Sequence, residues 1–262
     1  MSVKVVILCG GYGVRIRDVN ENLPKPMLPI GQKPILWHIM KYFSSFGLND
    51  FILCLGYKGL TIKEFFLNYK ASYSDFTLNV NEPEKITFEN EEIENWRITF
   101  AETGLDTMTG GRLFAVKKYL AGEDLFCLTY GDALSDVNIL SLLDFHKKQN
   151  RVATLTGVKA EGRFGEIKFS NDVITTFNEK PVLTEGRING GFMVFNNKGI
   201  WEYLNDSPSL ILEREPFENL VADRQFNVFQ HDGFWQCMDN SREYEKLNDL
   251  WRTGEAHWKR WK

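Results

Sequence analysis

The sequence predicts an α/β protein built on a mixed, mainly parallel sheet flanked by helices. Two observations carry this prediction. First, residues 3–9 and 50–57 form short, continuously apolar runs, as in strands that are buried on both faces. Second, apolar residues at helical spacing follow each run, at 34–47 and 61–73. Strands that alternate with helices in this way pair in parallel through right-handed crossovers.

The rest of the chain continues this alternation with further strand-like and helical segments. Strands are predicted at 124–132, 151–158, 166–170, 173–180 and 188–195, and helices at 110–120, 138–149 and 241–254. No repeat or low-complexity linker divides the chain. We therefore predict a single domain that spans residues 1–262.

Two regions depart from the alternating pattern. The stretch at about 70–100 is acidic and polar with short alternating pieces, which predicts a small inserted β region. The segment at about 240–262 predicts a C-terminal helical extension that ends in a tryptophan-rich, basic tail. Tryptophans of this kind usually pack within the chain or at a subunit contact, so the tail and the insertion are the candidate subunit contacts.

Composition excludes several classes of function. The formal net charge is −4, so the chain has no global attraction to nucleic acid or to an anionic membrane. No signal peptide is recognised and no apolar run approaches the ~20 residues of a membrane helix, so we expect a cytoplasmic protein. The four cysteines form no CxxC pair and are expected to be reduced and mostly buried.

The first strand-like run ends in a loop that is typical of a phosphate site. Gly10, Gly11 and Gly13 let backbone N–H groups approach an anion, and Arg15 adds positive charge. Lys25 follows between two prolines, which stiffen the backbone around one cation. The loop is no Walker motif, and it lacks the third glycine of the dinucleotide fingerprint, which argues against an NAD-dependent dehydrogenase. A tight turn without a ligand is the alternative.

Carboxylates follow two of the apolar strand pieces. Asp132 comes directly after the piece at 125–130, and Asp239 follows another near the C-terminus. Ligands of open α/β sheets bind at the carboxyl ends of the strands. Mg²⁺ is usually held by one or two carboxylates together with substrate phosphates, so these two aspartates are candidate metal ligands. The alternative for Asp132 is a helix cap, a role that we assign to Asp136.

A third group of residues suits a sugar or a phosphate ester. Glu179 and Lys180 precede a proline at the end of one strand-like piece. Asn189 begins another strand-like piece and is followed by two glycines. Alternatively, these two segments form turns that bind no ligand.

These motifs resemble those of the nucleotidyltransferases that activate sugar 1-phosphates with nucleoside triphosphates. The resemblance runs the length of the chain, and the segments ILWHIM, MTGGRL and GFWQCMD are typical of the cytidylyl-transferring branch. It implies a Rossmann-like fold of the nucleotide-diphospho-sugar transferase type. It also implies transfer of CMP from CTP to a phosphorylated acceptor, with Mg²⁺ as cofactor. The acceptor that the resemblance favours is glucose 1-phosphate. A homo-oligomer that serves cell-surface polysaccharide biosynthesis is implied as well.

The resemblance implies a role for each motif residue. Lys25, Arg15 and Asp132 would be catalytic, with Lys25 neutralising charge on the α-phosphate, and Asp132 and Asp239 would hold the metal. The implied nucleotide-binding residues are Leu8, Gly10, Gly11, Gly13, Arg15, Lys25, Thr103, Gly110, Arg112 and Asp132. The implied acceptor-binding residues are Lys180, Asn189, Gly165 and Glu179.

Four departures from the family pattern leave the acceptor open. Val14 replaces a small hydroxyl residue, Ala133 a glycine and Asn240 a threonine, and residues 159–161 lack the usual prolines. One alternative is therefore the same chemistry on another sugar 1-phosphate or on a small non-sugar phosphate. A second alternative is a non-catalytic nucleotide-binding protein, against which the retained lysine and aspartates argue.

Overall fold

The structure, a computed structural model, describes residues 3–82, 85–89, 93–159, 166–170, 173–178 and 186–261. Its strands are β1 (Lys4–Leu8), β2 (Pro29–Ile30), β3 (Lys33–Pro34), β4 (Asp50–Leu55), β5 (Phe76–Leu78), β6 (Ile86–Phe88), β7 (Arg97–Glu102), β8 (Leu125–Tyr130), β9 (Ala133–Ser135), β10 (Ala153–Val158), β11 (Glu166–Ser170), β12 (Val173–Asn178), β13 (Ile188–Asn196), β14 (Phe226–His231) and β15 (Trp235–Cys237). Its α-helices are α1 (Ile35–Ser44), α2 (Gly59–Leu67), α3 (Tyr69–Tyr73), α4 (Thr109–Ala115), α5 (Ile139–Gln149), α6 (Glu215–Ala222) and α7 (Ser241–Thr253). Within these described ranges, no helix combines the length and the apolar character that a membrane span requires.

The central sheet has seven strands in the order β14-β10-β13-β8-β1-β4-β7. β1 pairs in parallel with β4 and β8, β4 with β7, and β10 with β14. β13 runs antiparallel to both of its neighbours, β8 and β10. The prediction of a mixed, mainly parallel sheet flanked by helices is therefore confirmed.

Both faces of the central strands are buried. Along β1, Val5 and Ile7 belong to one core cluster, which also contains side chains of α1, α5 and α7. Val6 and Leu8 belong to a second cluster, which contains side chains of α4 and α6. Successive side chains of a strand point to opposite faces. The apolar run in the sequence therefore indicates that helices cover both faces of the sheet.

The inserted β region is smaller than predicted. β5 and β6 form an antiparallel hairpin within the predicted range of about 70–100. Arg97–Glu102, which the prediction partly included, is instead the edge strand β7 of the central sheet. Its alternating side chains belong to the core, since Ile98 and Phe100 pack against one cluster and Ala101 lies in the other. A half-buried edge strand and a polar hairpin have similar alternation in sequence, so the boundary was misplaced.

Helix α5 begins after Asn138, and the assignment of its cap to Asp136 was wrong. The Asn138 side chain accepts a hydrogen bond from the backbone N–H of Ser141 at 3.0 Å. Asp136 lies before the helix, where its carboxylate is 2.8 Å from Nε2 of His231. The helix starts at Ile139, one residue later than predicted, because Asn138 is its cap.

The C-terminal extension consists of α7 and a tail that packs against α1. Trp258 is completely buried, and the rings of Trp251 and His38 lie 4.7 Å apart. Trp258 thus belongs to the core of its own chain, and Trp251 packs against that core. A single chain leaves the predicted homo-oligomer untested, and it stays a prediction.

His38 is a buried polar residue at the centre of this contact. Its Nε2 donates to the carbonyl oxygen of Ile30 at 2.8 Å, and its Nδ1 accepts from the indole N–H of Trp258 at 3.3 Å. A carbonyl can only accept and an indole N–H can only donate, so these partners require the neutral ring. Burial lowers the pKa of His38 to about 4.

Lowering the pH from 7 to 4.5 is expected to destabilise the protein, because unfolding lets His38 take up a proton at its ordinary pKa of 6.5. The stability from the neutral ring is present above the ordinary pKa and is lost as pH falls towards the folded value. For His38 the loss is on the order of 2 kcal/mol at pH 4.5. Burial also lowers the pKa of His146 to about 4, so His146 adds to this loss of stability. Urea unfolding at both pH values measures the sum.

The variant His38→Gln should retain less of this pH dependence than the wild type. The same substitution at His257, which is exposed, is the matched control. Equal pH dependence in the wild type and in His38→Gln would contradict the assignment of a neutral, buried ring.

Candidate active site

The candidate site lies where three neighbouring parallel strands end. β1 continues into Gly10 and Gly11, and β8 continues into Gly131 and Asp132. The backbone N–H of Gly131 donates to the carbonyl of Leu8 at 3.1 Å, so the two chain segments remain paired beyond the strands. This edge is the position at which open α/β sheets bind ligands.

The glycine loop packs directly against Lys25. Gly13 has a φ of 58°, and a Cβ atom there would lie 3.1 Å from the Cβ of Lys25. Glycine therefore serves both the left-handed backbone and the close approach. Lys25 itself begins a tight turn, in which the N–H of Met27 donates to the carbonyl of Pro24 at 2.8 Å. The two segments that the sequence singled out separately thus form one wall.

A short ribbon brings the two predicted aspartates together. β9 and β15 pair antiparallel with Ala133 opposite Cys237, and the N–H of Met238 donates to the carbonyl of Asp132 at 2.8 Å. Asp239 follows immediately. Sequence alone could not establish this convergence, because 106 residues lie between the two aspartates in the chain.

The start of α7 then holds Asp239 in place. The side chain of Asn240 caps the helix by accepting from the N–H of Glu243 at 3.0 Å. The carboxylate of Glu243 in turn accepts from the backbone N–H of Asp239 at 2.6 Å. This reciprocal arrangement resembles a capping box, which fixes the direction in which the chain enters the helix.

Lys25 lies between the two carboxylates. Its Nζ is 2.6 Å from an oxygen of Asp132 and also forms an ion pair with Asp239. Arg15 contacts the other oxygen of Asp239 at 3.0 Å. Burial by itself would lower the pKa of Lys25, but the two carboxylates outweigh it and raise the pKa above its ordinary value. Lys25 is therefore a cation at neutral pH.

Two cavities open on either side of this cluster. The smaller, of about 410 Å³, is lined by the glycine loop and the start of α4. The larger, of about 780 Å³, is lined by β15, the start of α7 and the start of β13. Arg15, Tyr130, Asp132 and Asp239 line both cavities. Two ligands could therefore meet at one charged wall.

Most of the predicted nucleotide-binding residues surround the smaller cavity. The lining includes Leu8, Gly10, Gly11, Gly13, Arg15, Lys25, Arg112 and Asp132. Thr103 and Gly110 are not among the lining residues. The hydroxyl of Thr103 donates to the carbonyl of Leu55 at 2.7 Å, and the N–H of Gly110 donates to the carbonyl of Leu210 at 2.9 Å. Thr103 and Gly110 therefore bind neighbouring backbone and support the residues that line the smaller cavity.

Arg112 binds the protein's own backbone. Its guanidinium is buried and donates at 2.8–3.1 Å to the hydroxyl of Thr103 and to the carbonyl oxygens of Gly10, Leu55, Gly104 and Leu105. A Cβ atom at Gly10 would collide with this guanidinium. Burial lowers the pKa of Arg112 from its ordinary value. Arg112 therefore anchors the glycine loop to the ends of the neighbouring strands.

The structure describes only one of the predicted acceptor-binding residues. Asn189 lines the larger cavity at the start of β13. Gly165, Glu179 and Lys180 lie outside the described residues. The sequence interpretation missed Tyr130, which lines both cavities and ends the strand just before Asp132. Its position at the carboxyl end of that strand was the signal that could have identified it.

Three of the departures from the family pattern fit the site. Ala133 lies in strand β9 and has no positive φ, so the missing glycine causes no strain. Asn240 is a helix cap, a position at which asparagine and threonine are both favoured. Val14 is 64% exposed and lines the smaller cavity, so its methyl groups face a space that a ligand can occupy.

The donor set at Asp132 and Asp239 suits one divalent cation. Both carboxylates reach the ammonium of Lys25, so they are close enough to hold a single cation between them. Among the residues that the structure describes, no group of three or more His, Cys, Asp or Glu side chains could hold a metal. Two carboxylates are nevertheless sufficient for Mg²⁺ when substrate phosphates supply further oxygens.

Comparison with known proteins defines the class. The family model for "Nucleotidyl transferase" matches residues 4–237. The chain therefore belongs to the nucleotidyl transferase family, and the prediction that it is a nucleotidyltransferase is confirmed.

Two relatives identify the branch of the family. The chain is 41% identical over 259 residues to the probable glucose-1-phosphate cytidylyltransferase of Bacillus subtilis (strain 168). It is 42% identical over 259 residues to the glucose-1-phosphate cytidylyltransferase of Salmonella typhimurium. Each alignment covers 99% of this chain and 100% of the relative. The resemblance to the cytidylyl-transferring branch is thereby confirmed.

A solved structure agrees with the fold. The putative glucose-1-phosphate thymidylyltransferase from Bacillus anthracis, in complex with a sucrose, superimposes with a TM-score of 0.69 at 16% sequence identity. The superposition covers 96% of each chain. At this identity the likeness shows the fold alone.

Proposed function

We propose that this protein transfers CMP from CTP to glucose 1-phosphate, which forms CDP-glucose and releases pyrophosphate. The observation that carries the proposal is the meeting of two cavities at the wall formed by Lys25, Asp132 and Asp239. The near full-length similarity to glucose-1-phosphate cytidylyltransferases supports the choice of both substrates.

The chemistry requires no nucleophilic side chain. A phosphate oxygen of glucose 1-phosphate attacks the α-phosphorus of CTP and forms a new P–O bond. The bond from that phosphorus to the oxygen shared with the β-phosphate breaks, and this oxygen leaves with pyrophosphate. The attacking oxygen is already ionised, so the protein mainly has to bring two anions together and stabilise in-line transfer.

The smaller cavity suits the nucleotide. Its glycine loop offers backbone N–H groups to phosphate oxygens, and Lys25 and Arg15 supply positive charge where the two cavities meet. The ion pairs hold Lys25 at this wall, where its ammonium would stabilise charge that develops on the α-phosphate. Asn189 in the larger cavity offers its amide to the acceptor.

Asp132 and Asp239 are the proposed ligands of Mg²⁺. When bound there, the cation would neutralise phosphate charge at the shared wall and polarise the α-phosphate. The carboxylates orient toward a common point because the β9–β15 ribbon and the capped start of α7 hold their backbones. The proposed cytoplasmic location, pathway and homo-oligomer stay predictions.

Pyrophosphate release from a panel of phosphorylated acceptors, each with CTP and Mg²⁺, tests the proposal. Glucose 1-phosphate is expected to have the highest kcat/KM, and CTP is expected to be preferred over the other nucleoside triphosphates. A higher kcat/KM for another sugar 1-phosphate or for a small non-sugar phosphate would contradict the acceptor while retaining the chemistry. Absence of turnover with every pair would instead support the non-catalytic alternative.

A further inference from the structure

A carboxylate outside both cavities joins the two sides of the site. Glu213 is half-buried just before α6. One of its oxygens accepts a hydrogen bond from the hydroxyl of Tyr130, and the other accepts from the hydroxyl of Thr109 at 2.6 Å. Hydrogen bonds to a carboxylate are about twice as strong as those between neutral groups. Glu213 therefore binds one residue on each side of the site.

The first connection leads to the larger cavity. The Nδ2 of Asn189 donates to the phenol oxygen of Tyr130 at 3.3 Å, and the Oδ1 of Asn189 accepts from the N–H of Gly191 at 2.9 Å. The hydroxyl of Tyr130 donates its proton to Glu213, so its oxygen is left to accept from Asn189. The amide of Asn189 is thus held in one orientation, with a second N–H left for a ligand.

The second connection leads to the smaller cavity. Thr109 lines this cavity at the start of α4, and its hydroxyl also accepts from the N–H of Leu212 at 2.9 Å. Arg112, which anchors the glycine loop, follows less than one turn later on the same helix. The position of Thr109 therefore determines where the guanidinium of Arg112 holds the loop.

We propose that Glu213 is a positioning residue that sets the nucleotide side of the site relative to the acceptor side. The proposal rests on the proposed function, since in-line transfer depends on the alignment of two bound substrates. A displacement of about 1 Å between reacting groups can cost on the order of a hundredfold in rate. Glu213 acts through Tyr130 and Asn189 on one substrate and through Thr109 on the other.

Four substitutions separate the two connections. Tyr130→Phe keeps the ring but removes the hydroxyl that Asn189 contacts, so KM for glucose 1-phosphate should rise roughly tenfold and KM for CTP should rise less. Thr109→Val should do the reverse, and Thr109→Ser, which restores the hydroxyl, should recover the wild-type KM for CTP. Glu213→Gln should raise both KM values and also lower kcat. Glu215→Gln, two residues away and exposed, is the matched control.

Calorimetric titration with CTP alone gives a second measurement that requires no turnover. Glu213→Gln and Thr109→Val are expected to weaken CTP binding more than Tyr130→Phe does. If Glu213→Gln lowers only the folded fraction or the thermal stability, with both KM values and CTP affinity unchanged, the positioning role is overturned. A wild-type protein without turnover would contradict the proposed function, while the CTP titrations would still decide the role of Glu213.

Discussion

Replacement of Lys25 by methionine is expected to lower kcat on the order of a thousandfold, which is the loss measured when a preorganised electrostatic contact to the transition state is removed. Lys25 is only 14% exposed and lies between Asp132 and Asp239. Methionine has a similar length but no charge. The substitution therefore removes the cation that faces the α-phosphate and leaves two carboxylates close together without it.

Pyrophosphate release under saturating CTP and glucose 1-phosphate measures this effect. Lys25→Arg should recover only part of the activity, because the planar guanidinium cannot take the place of a compact ammonium between two carboxylates. Lys147→Met, at an exposed position of α5, is the matched control and should behave as the wild type. A loss smaller than about tenfold for Lys25→Met would show that Lys25 does not stabilise the transition state.

The substitution Asp132→Asn is expected to have a similarly large effect. Asparagine preserves the shape of the side chain but removes the negative charge that Lys25 contacts at 2.6 Å and that would bind the metal. We expect kcat to fall on the order of a thousandfold and the apparent affinity for Mn²⁺, in the presence of CTP, to weaken. Electron paramagnetic resonance of free Mn²⁺ measures the affinity separately from turnover.

The control for this substitution is Asp249→Asn. Asp249 is exposed on α7, where it pairs with Arg252 at 2.8 Å, so its removal should leave both kcat and Mn²⁺ affinity unchanged. If Asp132→Asn lowers kcat but leaves Mn²⁺ affinity at the wild-type value, Asp132 is not a metal ligand. If it changes neither, the non-catalytic alternative is supported.

The fold was predictable from local patterns. A parallel strand that is covered on both faces is mostly apolar, and β1, β4 and β8 are apolar at all but one position each. The glycine loop and Lys25 were also predictable as a phosphate site, because each motif acts within a short stretch of backbone. An inserted β hairpin was predicted in the right region, but its predicted range also included part of β7. The side chains of β7 alternate like those of a polar hairpin, although β7 belongs to the central sheet.

The residues that link distant segments were not predictable in this way. The capping role assigned to Asp136 was wrong because the connection after β9 determines where α5 begins. Arg112 was expected to lie near the nucleotide, yet its donors bind backbone carbonyl oxygens of three separate segments. The role of Glu213 could not be predicted from its local sequence, since its two partners come from β8 and from the start of α4.

The sequence by itself determined the class of fold, the position of the candidate phosphate-binding loop and the charged residues beside it, because these depend on short-range periodicity and on the chemistry of single side chains. Only the tertiary structure decided that Asp132 and Asp239 share Lys25, through the pairing of β9 with β15. It also decided that one carboxylate, Glu213, supports both cavities. These contacts join residues far apart in the chain, and their geometry is set by the packing of whole elements.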